Sequence, residues 1–234
     1  MKKHTWKIIF GVVILLLGAS IVYSQQASQE ANEGVVIEPH VKGNADASVT
    51  LTEYSDFQCP ACGQFYPYVK DVLDKHGDSI RFEYKHFPLI TLHQFALPAA
   101  RASEAAGQQG EFFAMHDMLF ENQTTWSQAK SPDAYFIKYA EELGLDVSLF
   151  KKHLSSSVIE DSIKKSFSEA QALGLTGTPS FYLNGEKMVY TTYEDFNAQI
   201  DAAVSASTPG AEATVDTSSS TSAEIENTNI KFEI

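Results

Sequence analysis

Hydrophobic positions along this chain follow three patterns. The first is an unbroken apolar run, Ile8 to Tyr23, which carries no charge and follows Lys2, Lys3 and Lys7. A basic head before such a run marks a secretion signal or a membrane anchor. Thr5 and Trp6 extend the run toward the roughly 17–25 residues that a spanning helix needs. Val22-Tyr23-Ser24 is a poor match to the small-x-small site of signal cleavage. An uncleaved anchor over residues 1–24 is therefore expected, with a cleaved signal and a secreted product as the alternative. The lysines should stay cytoplasmic, which places the rest of the chain outside the cell membrane. No cysteine lies in this segment, so a lipoprotein anchor is excluded.

The second pattern has the two-residue period of strands. Val49 to Tyr54 is rich in β-branched and aromatic types, and in Ile80 to Phe87 the residues Ile80, Phe82 and Tyr84 alternate with Arg81, Glu83 and Lys85. Between these strands Phe65, Val69, Val72 and Leu73 recur at helical spacing. Pro60 suits the first turn of that helix and Gly77 its end. A strand, helix and strand in succession predict a parallel pair with a right-handed crossover. Ser180 to Leu183 and Lys187 to Tyr190 flank Asn184-Gly185, a tight-hairpin signal. Val35 to Ile37 reads as a further short strand after a polar tether, 25–34, and Gly43 to Ser48 reads as a turn.

The third pattern is helical and runs from Leu92 to Leu173. Ala96 to Ala106 is alanine-rich. Apolar stripes follow at Phe112, Met115, Leu119 and Phe120, then at Phe136, Tyr139, Ala140 and Leu143, and then at Ile159, Ile163, Phe167 and Ala170. Ser131-Pro132-Asp133 predicts an N-cap with proline in the first helical position. Asp146 predicts another cap, and Ser157-x-x-Glu160 predicts a capping box. Thr192 should cap a last helix through Phe196, Ile200, Ala203 and Val204. Beyond Ser207 the chain turns to Ser, Thr, Ala and acids. Residues 207–234 hold too little apolar surface to order themselves, and only Ile230 to Ile234 looks strand-like. The whole pattern predicts an α/β domain over residues 35–206 with a helical insertion at about 91–174.

Composition narrows the function. A net charge of -13 argues against nucleic acid and against anionic lipid heads as partners. Two cysteines allow at most one disulfide, so the fold must rest on packing, for which a hydrophobic content of 44% is ample.

Those two cysteines form Cys59-Pro60-Ala61-Cys62, between the first strand and the helix that follows it. The spacing suits a dithiol–disulfide pair. Zinc is the competing chemistry, but it usually takes four ligands, and His86, His93, His116 and His153 have no ligand spacing among themselves. A static structural bridge is a weaker reading, because so short a loop constrains the unfolded chain little. At a helix N-terminus the Cys59 thiolate should be stabilised. Cys62, one turn later, should be more buried and less acidic. His116 reads as a structural histidine. Asn122-Gln123-Thr124 matches a glycosylation sequon by pattern alone.

The chain resembles the DsbA-like thiol–disulfide oxidoreductases of the thioredoxin superfamily from about Val35 to Ser205. The resemblance rests on Cys59-Pro60-Ala61-Cys62, on Thr178-Pro179 before the hairpin, on Lys85-His86-Phe87-Pro88-Leu89 and on Met115-His116-Asp117. It implies a thioredoxin fold with an inserted all-helical subdomain. Cys59 would be the nucleophile and Cys62 the resolving thiol. Pro179 would be cis and would bring the Thr178 backbone beside the disulfide to pair with an extended client, in a groove that Pro60 and Ala61 also face. Glu53 would be a buried acid relaying protons to Cys62. No dissociable cofactor and no metal are implied. The implied partners are reduced or misoxidised secreted polypeptides and a quinone-linked membrane protein that recycles the cysteine pair. The middle dipeptide is Pro-Ala, not the Pro-His of strong oxidants, so a reductase or isomerase with the same site stays open beside the oxidase. A non-catalytic client-binding or chaperone module is the alternative of a different class.

Overall fold

The structure, a computed structural model, describes residues 2–207, the side chains of residues 2–8, 10 and 11 apart. The expected acidic tail and its strand-like end lie outside the described residues.

A five-stranded sheet forms the centre, in the order β1-β3-β2-β4-β5. Its strands are β1 (His40–Gly43), β2 (Val49–Ser55), β3 (Ile80–His86), β4 (Ser180–Leu183) and β5 (Glu186–Lys187). β2 and β3 pair in parallel across the crossover helix α2 (Pro60–His76), as the alternating patterns predict. β1 lies antiparallel on the outer side of β3, and β4 lies antiparallel on β2. The β4–β5 turn places Asn184 at φ 52 and Gly185 at φ 83, the left-handed geometry that a two-residue hairpin demands. Helix α1 (Lys2–Asn32) precedes the sheet and α9 (Tyr193–Ser207) follows it.

Between β3 and β4 lies the inserted helical block. It comprises α3 (Ala96–Gly107), α4 (Phe112–Glu121), the short α5 (Gln123–Trp126), α6 (Asp133–Glu142), α7 (Val147–Leu154) and α8 (Ser157–Ala172). The periodic positions are the buried ones. Phe112, Met115 and Leu119 of α4 join Phe136 and Tyr139 of α6 and Phe150 of α7 in one core that is continuous with the sheet. On the side of the sheet facing α2 and α9, Phe65, Phe181 and Phe196 meet with ring centroids 5.0 Å apart or less. Such a cluster gives α2 a fixed seat, because aromatic packing adds to the burial of area.

Several boundaries differ from the sequence expectation, each for a local reason. Val35 to Ile37 form no strand; the edge strand starts at His40, where antiparallel pairing with Tyr84 becomes available. Residues expected to be a tether continue α1 as helix to Asn32. Pro132, not Ser131, holds the cap position of α6, and its carbonyl accepts from the Tyr135 and Phe136 amides. The cap of α8 is Ser156, whose hydroxyl accepts from the Ile159 amide, one residue earlier than the expected Ser157. Glu160 turns away from the expected box to Arg101 and Lys164.

The shifted cap and the longer α1 have one cause. The Asn32 carboxamide oxygen accepts from the Ser157 and Val158 amides and from the Ser156 hydroxyl, so α1 supplies acceptors to the start of α8. Lys152 of α7 pairs with Glu33 beside it. A capping acceptor of this kind contributes roughly 0.5–2 kcal/mol. Asn32→Ala should lower the stability of the full chain by about that amount in denaturant unfolding, whereas an unchanged transition would mean that α1 does not dock on α8.

Candidate active site

The loop between β2 and α2 carries the cysteines, and side chains from three separate segments hold it. Buried Asp56 does most of this. One carboxylate oxygen accepts from the Gln58 amide at 2.8 Å, the other from the Leu89 amide at 2.9 Å and from His93 Nδ1 at 2.7 Å. Its carbonyl accepts from the Cys59 amide. Gln58 accepts from the Phe95 amide at 2.6 Å. From α5, Gln123 Nε2 donates to the carbonyls of Phe57 and Cys59, both at 2.8 Å. Gly63 makes room for that clamp, since a Cβ there would stand 2.5 Å from the Gln123 carbonyl oxygen. The chain therefore enters α2 along one fixed path.

Cys59 sits at the cap position of α2, in extended backbone, and Pro60 is the first helical residue. Both cysteines are free thiols, Cys59 7% exposed and Cys62 fully buried. The Cys62 thiol hydrogen-bonds Cys59 and, with the Ala61 and Cys62 amides, pulls its pKa down to about 5, although burial opposes this. Pro60 has no amide hydrogen to give. The Thr178 hydroxyl, which has no other partner, lends further stabilisation. The same bond, burial and the negative charge of Cys59 push Cys62 the other way, well above the ordinary thiol value. At neutral pH the pair is one thiolate beside one thiol.

The opposite wall comes from the segment before β4. Thr178-Pro179 is a cis peptide bond, and the Thr178 carbonyl lies 3.4 Å from the Cys59 sulfur, whose S–H it accepts when the thiol is protonated. An open cleft of about 300 Å³ runs beside it, lined by Thr178, Pro179, Met188, Val189 and Tyr190. Val189 is 80% exposed at its rim. The 89–93 segment, tied to Asp56, carries exposed Ile90 and Leu92.

Glu53 lies in the middle of β2, between Tyr84 of β3 and Phe181 of β4. It is 3% exposed. Burial raises its pKa to about 7, an effect the Ser55 hydroxyl opposes. Its charge in turn disfavours a Cys62 thiolate.

The fold thus brings Glu53, Cys59, Pro60, Ala61, Cys62, Thr178 and Pro179 to one place. Sequence reasoning missed Asp56, Gln58, His93 and Gln123, which hold the loop. Asp56 and Gln58 were within sight as polar residues beside the motif. Gln123 was read only as the middle of a sequon. Its neighbour Asn122 donates to the Met118 carbonyl, so that side chain is engaged within the fold.

Comparison with known proteins agrees with the geometry. A thioredoxin family model matches residues 36–202. Among curated proteins, the Na(+)/H(+) antiporter NhaA 3 of Salinispora tropica is 37% identical over 165 residues, which are 67% of this chain and 24% of that protein. The antiporter NhaA of Herminiimonas arsenicoxydans is 31% identical over 187 residues, 77% of this chain and 29% of that protein. The chain therefore spans roughly a quarter of the curated relatives it matches. Among solved structures, a thioredoxin-like oxidoreductase from Silicibacter pomeroyi superposes with a TM-score of 0.60 at 28% identity, covering 70% of this chain and 91% of that one. BdbD from Bacillus subtilis superposes at 0.61 with 25% identity, covering 74% and 100%. The α-DsbA1 of Wolbachia pipientis, at 23% identity and a TM-score of 0.62 over 74% and 94%, shares the fold.

Glu53→Gln tests the buried acid. A carboxyl with a raised pKa contributes stability that is full below its unfolded value near 4.5 and is lost as pH rises through about 7. The variant should remove that slope and gain about 3 kcal/mol above pH 7, from 1.36 kcal/mol per unit. Unfolding curves at several pH values read it, and a variant that keeps the wild-type slope would show that Glu53 is ionised throughout.

With its family match over residues 36–202, its cysteine pair at the head of α2 and its cis-proline wall, the chain belongs to the thioredoxin family.

Proposed function

We propose that this protein is a membrane-tethered, extracytoplasmic oxidase that introduces disulfides into secreted polypeptides. The observation that carries the reading is the low pKa of Cys59 beside the raised one of Cys62. A dithiol that holds one sulfur as a stabilised thiolate is comfortable reduced. Its disulfide therefore tends to take electrons from clients.

The steps balance as follows. A client thiolate attacks Cys59 Sγ of the disulfide. The Cys59–Cys62 bond breaks and Cys62 leaves with the electron pair. Because Cys62 is a poor thiolate, it takes up a proton, and Glu53, half protonated near neutrality, is the group placed to relay it. A second client thiolate then attacks the client sulfur of the mixed disulfide. Cys59 is expelled as its stable thiolate, the good leaving group of the pair. The client gains a disulfide and the protein becomes a dithiol. Thr178 beside the cis-proline offers backbone to an extended client, and exposed Val189, Ile90 and Leu92 offer apolar contact.

Turnover needs a partner that withdraws the two electrons. A membrane redox protein suits the anchor, since Val12–Asn32 is long and apolar enough to cross a membrane. If the apolar run ends at Tyr23, the helix continues roughly 14 Å, at 1.5 Å per residue, before Asn32 docks on the domain. That would hold the cysteines near the membrane surface at a set distance.

Oxidised full-length protein should form disulfides in a reduced, unfolded secretory polypeptide, and Cys59→Ser should abolish this. A redox-buffer titration should place the pair well above about −270 mV, the thioredoxin value; a potential at or below that makes the protein a reductase. Client rescue that survives Cys59→Ser would make it a binding module.

Ultraviolet thiolate absorbance of the reduced protein should titrate near pH 5 and vanish in Cys59→Ser. A depressed pKa contributes stability that is present above the unfolded thiol value and is lost as pH falls through the folded one. The reduced form should therefore gain stability over the oxidised form as pH rises from about 5. A parallel pH dependence of the two forms would contradict the low Cys59 pKa.

A further inference from the structure

Away from the cysteines, one cluster among the described residues has the donor set of a metal site: His40, His86 and Glu104. Their spacing along the chain hides it. His40 begins β1 and pairs with Tyr84, two residues before His86 on β3, so the antiparallel register sets the two imidazoles side by side. Helix α3 lays Glu104 across them. His40 Nε2 stands 2.8 Å and His86 Nε2 3.1 Å from the same oxygen, Glu104 Oε1. All three donor atoms lie within 4.8 Å of one another. Tetrahedral zinc at 2.0–2.2 Å from each donor needs them about 3.3 Å apart, so the two carboxylate pairs shift by a few tenths of an ångström and the imidazole pair, within 4.8 Å, draws together around the ion. The His40 ring is already held in place, stacked on Phe112 at 3.4 Å and 4°.

A hydrogen-bonded His–Glu–His relay is the competing reading, and two details count against it. Both imidazoles converge on one carboxylate oxygen, while Glu104 Oε2, equally buried, has no hydrogen-bond partner. A relay would be expected to use both oxygens, because a buried unpaired one carries a desolvation penalty. Ser166 Oγ is a second buried polar atom without a partner. Ser166, Glu104 and both histidines line the same open cleft of about 240 Å³. The cluster is therefore converged, polar and reachable from solvent.

We propose that His40, His86 and Glu104 bind a divalent transition ion, zinc being the probe of choice. Two imidazoles and one carboxylate suit borderline ions such as zinc, whereas calcium prefers an all-oxygen shell. Three protein ligands leave a fourth position open, facing the cleft and Ser166. Ligands from β1, β3 and α3 meet only in the folded domain, so the ion ties the sheet's edge strand to its neighbour and to the helical insertion. Binding displaces any proton on the imidazoles and changes no oxidation state.

The test uses untagged full-length protein in detergent, stripped by chelator, with Cys59–Cys62 oxidised so that no thiolate competes. Calorimetric titration with zinc chloride should give one ion per chain and a raised melting temperature, and calcium chloride should give neither. His40→Ala and Glu104→Gln should each weaken zinc binding by about 100-fold or more, at or beyond the upper end of what losing even an outer partner costs. His76→Ala, at the imidazole–carboxylate pair with Asp201, should leave it unchanged. Cobalt bound to the wild-type chain should show the intense visible bands of four-coordination, a readout that needs no variant to fold. Zinc binding equal in wild type, His40→Ala and Glu104→Gln, or its absence, or calcium binding as tightly as zinc, would each overturn the assignment and leave the cluster a hydrogen-bonded relay.

Discussion

A negative charge is kept in a nearly dry place at the head of α2, and the structure around it makes that tolerable. An isolated thiolate there would be disfavoured by desolvation. The stabilisation comes from the Cys62 thiol, the Ala61 and Cys62 amides and the Thr178 hydroxyl, each of which must stay aimed at one sulfur. Aim depends on the path of the loop, and that path depends on buried Asp56, on Gln58 and on Gln123 reaching across from α5. The inserted helices are thus part of the site. They supply the clamp that fixes the first turn of α2.

Local features of this arrangement were legible in the sequence. Strand alternation, the proline at the helix start and the Asn184-Gly185 turn are decided by residues adjacent in the chain and agree with the structure, although the strand after that turn is Glu186–Lys187 and not Lys187 to Tyr190. The placement of Cys59 at a helix N-terminus agrees as well. What was not legible depends on partners distant in sequence. Nothing near Gln123 says that its amide will meet the Cys59 carbonyl, 64 positions away. His40 and His86 become neighbours only through strand register. The cap of α8 differs by one residue for the same kind of reason. Ser156 and Ser157 are equivalent candidates until Asn32 arrives from α1 and takes the Ser157 amide.

Glu53 shows how a rule of local sequence fails at a functional position. A carboxylate on a central strand, between two buried neighbours, runs against the depletion of acids from strands and cores. Periodicity points it inward and burial then holds it half protonated near neutrality. The same buried charge also disfavours a thiolate at Cys62. Tyr84, also buried, with its hydroxyl unpaired, faces the same low-dielectric region, and the Glu53 charge raises its pKa further. Such a cluster of unpaired polar groups is rare in a core without a role.

The direction of electron flow then reduces to the dipeptide between the cysteines. Pro60 withholds an amide, and Ala61 brings an amide and no polar side chain, so the groups of this turn that stabilise the Cys59 sulfur are the Cys62 thiol and the Ala61 and Cys62 amides. The thiolate is stabilised by backbone and by Cys62, both fixed by the fold, with the Thr178 hydroxyl opposite. A histidine in place of Ala61 would add a donor that titrates near neutrality and would make the pair more oxidising by favouring the thiolate further. With alanine there, the stabilisation of the Cys59 thiolate rests on groups held by the α2 N-terminus. Asp56 and Gln123, which hold the path of that N-terminus, therefore act on the Cys59 thiolate together with the residues inside the motif.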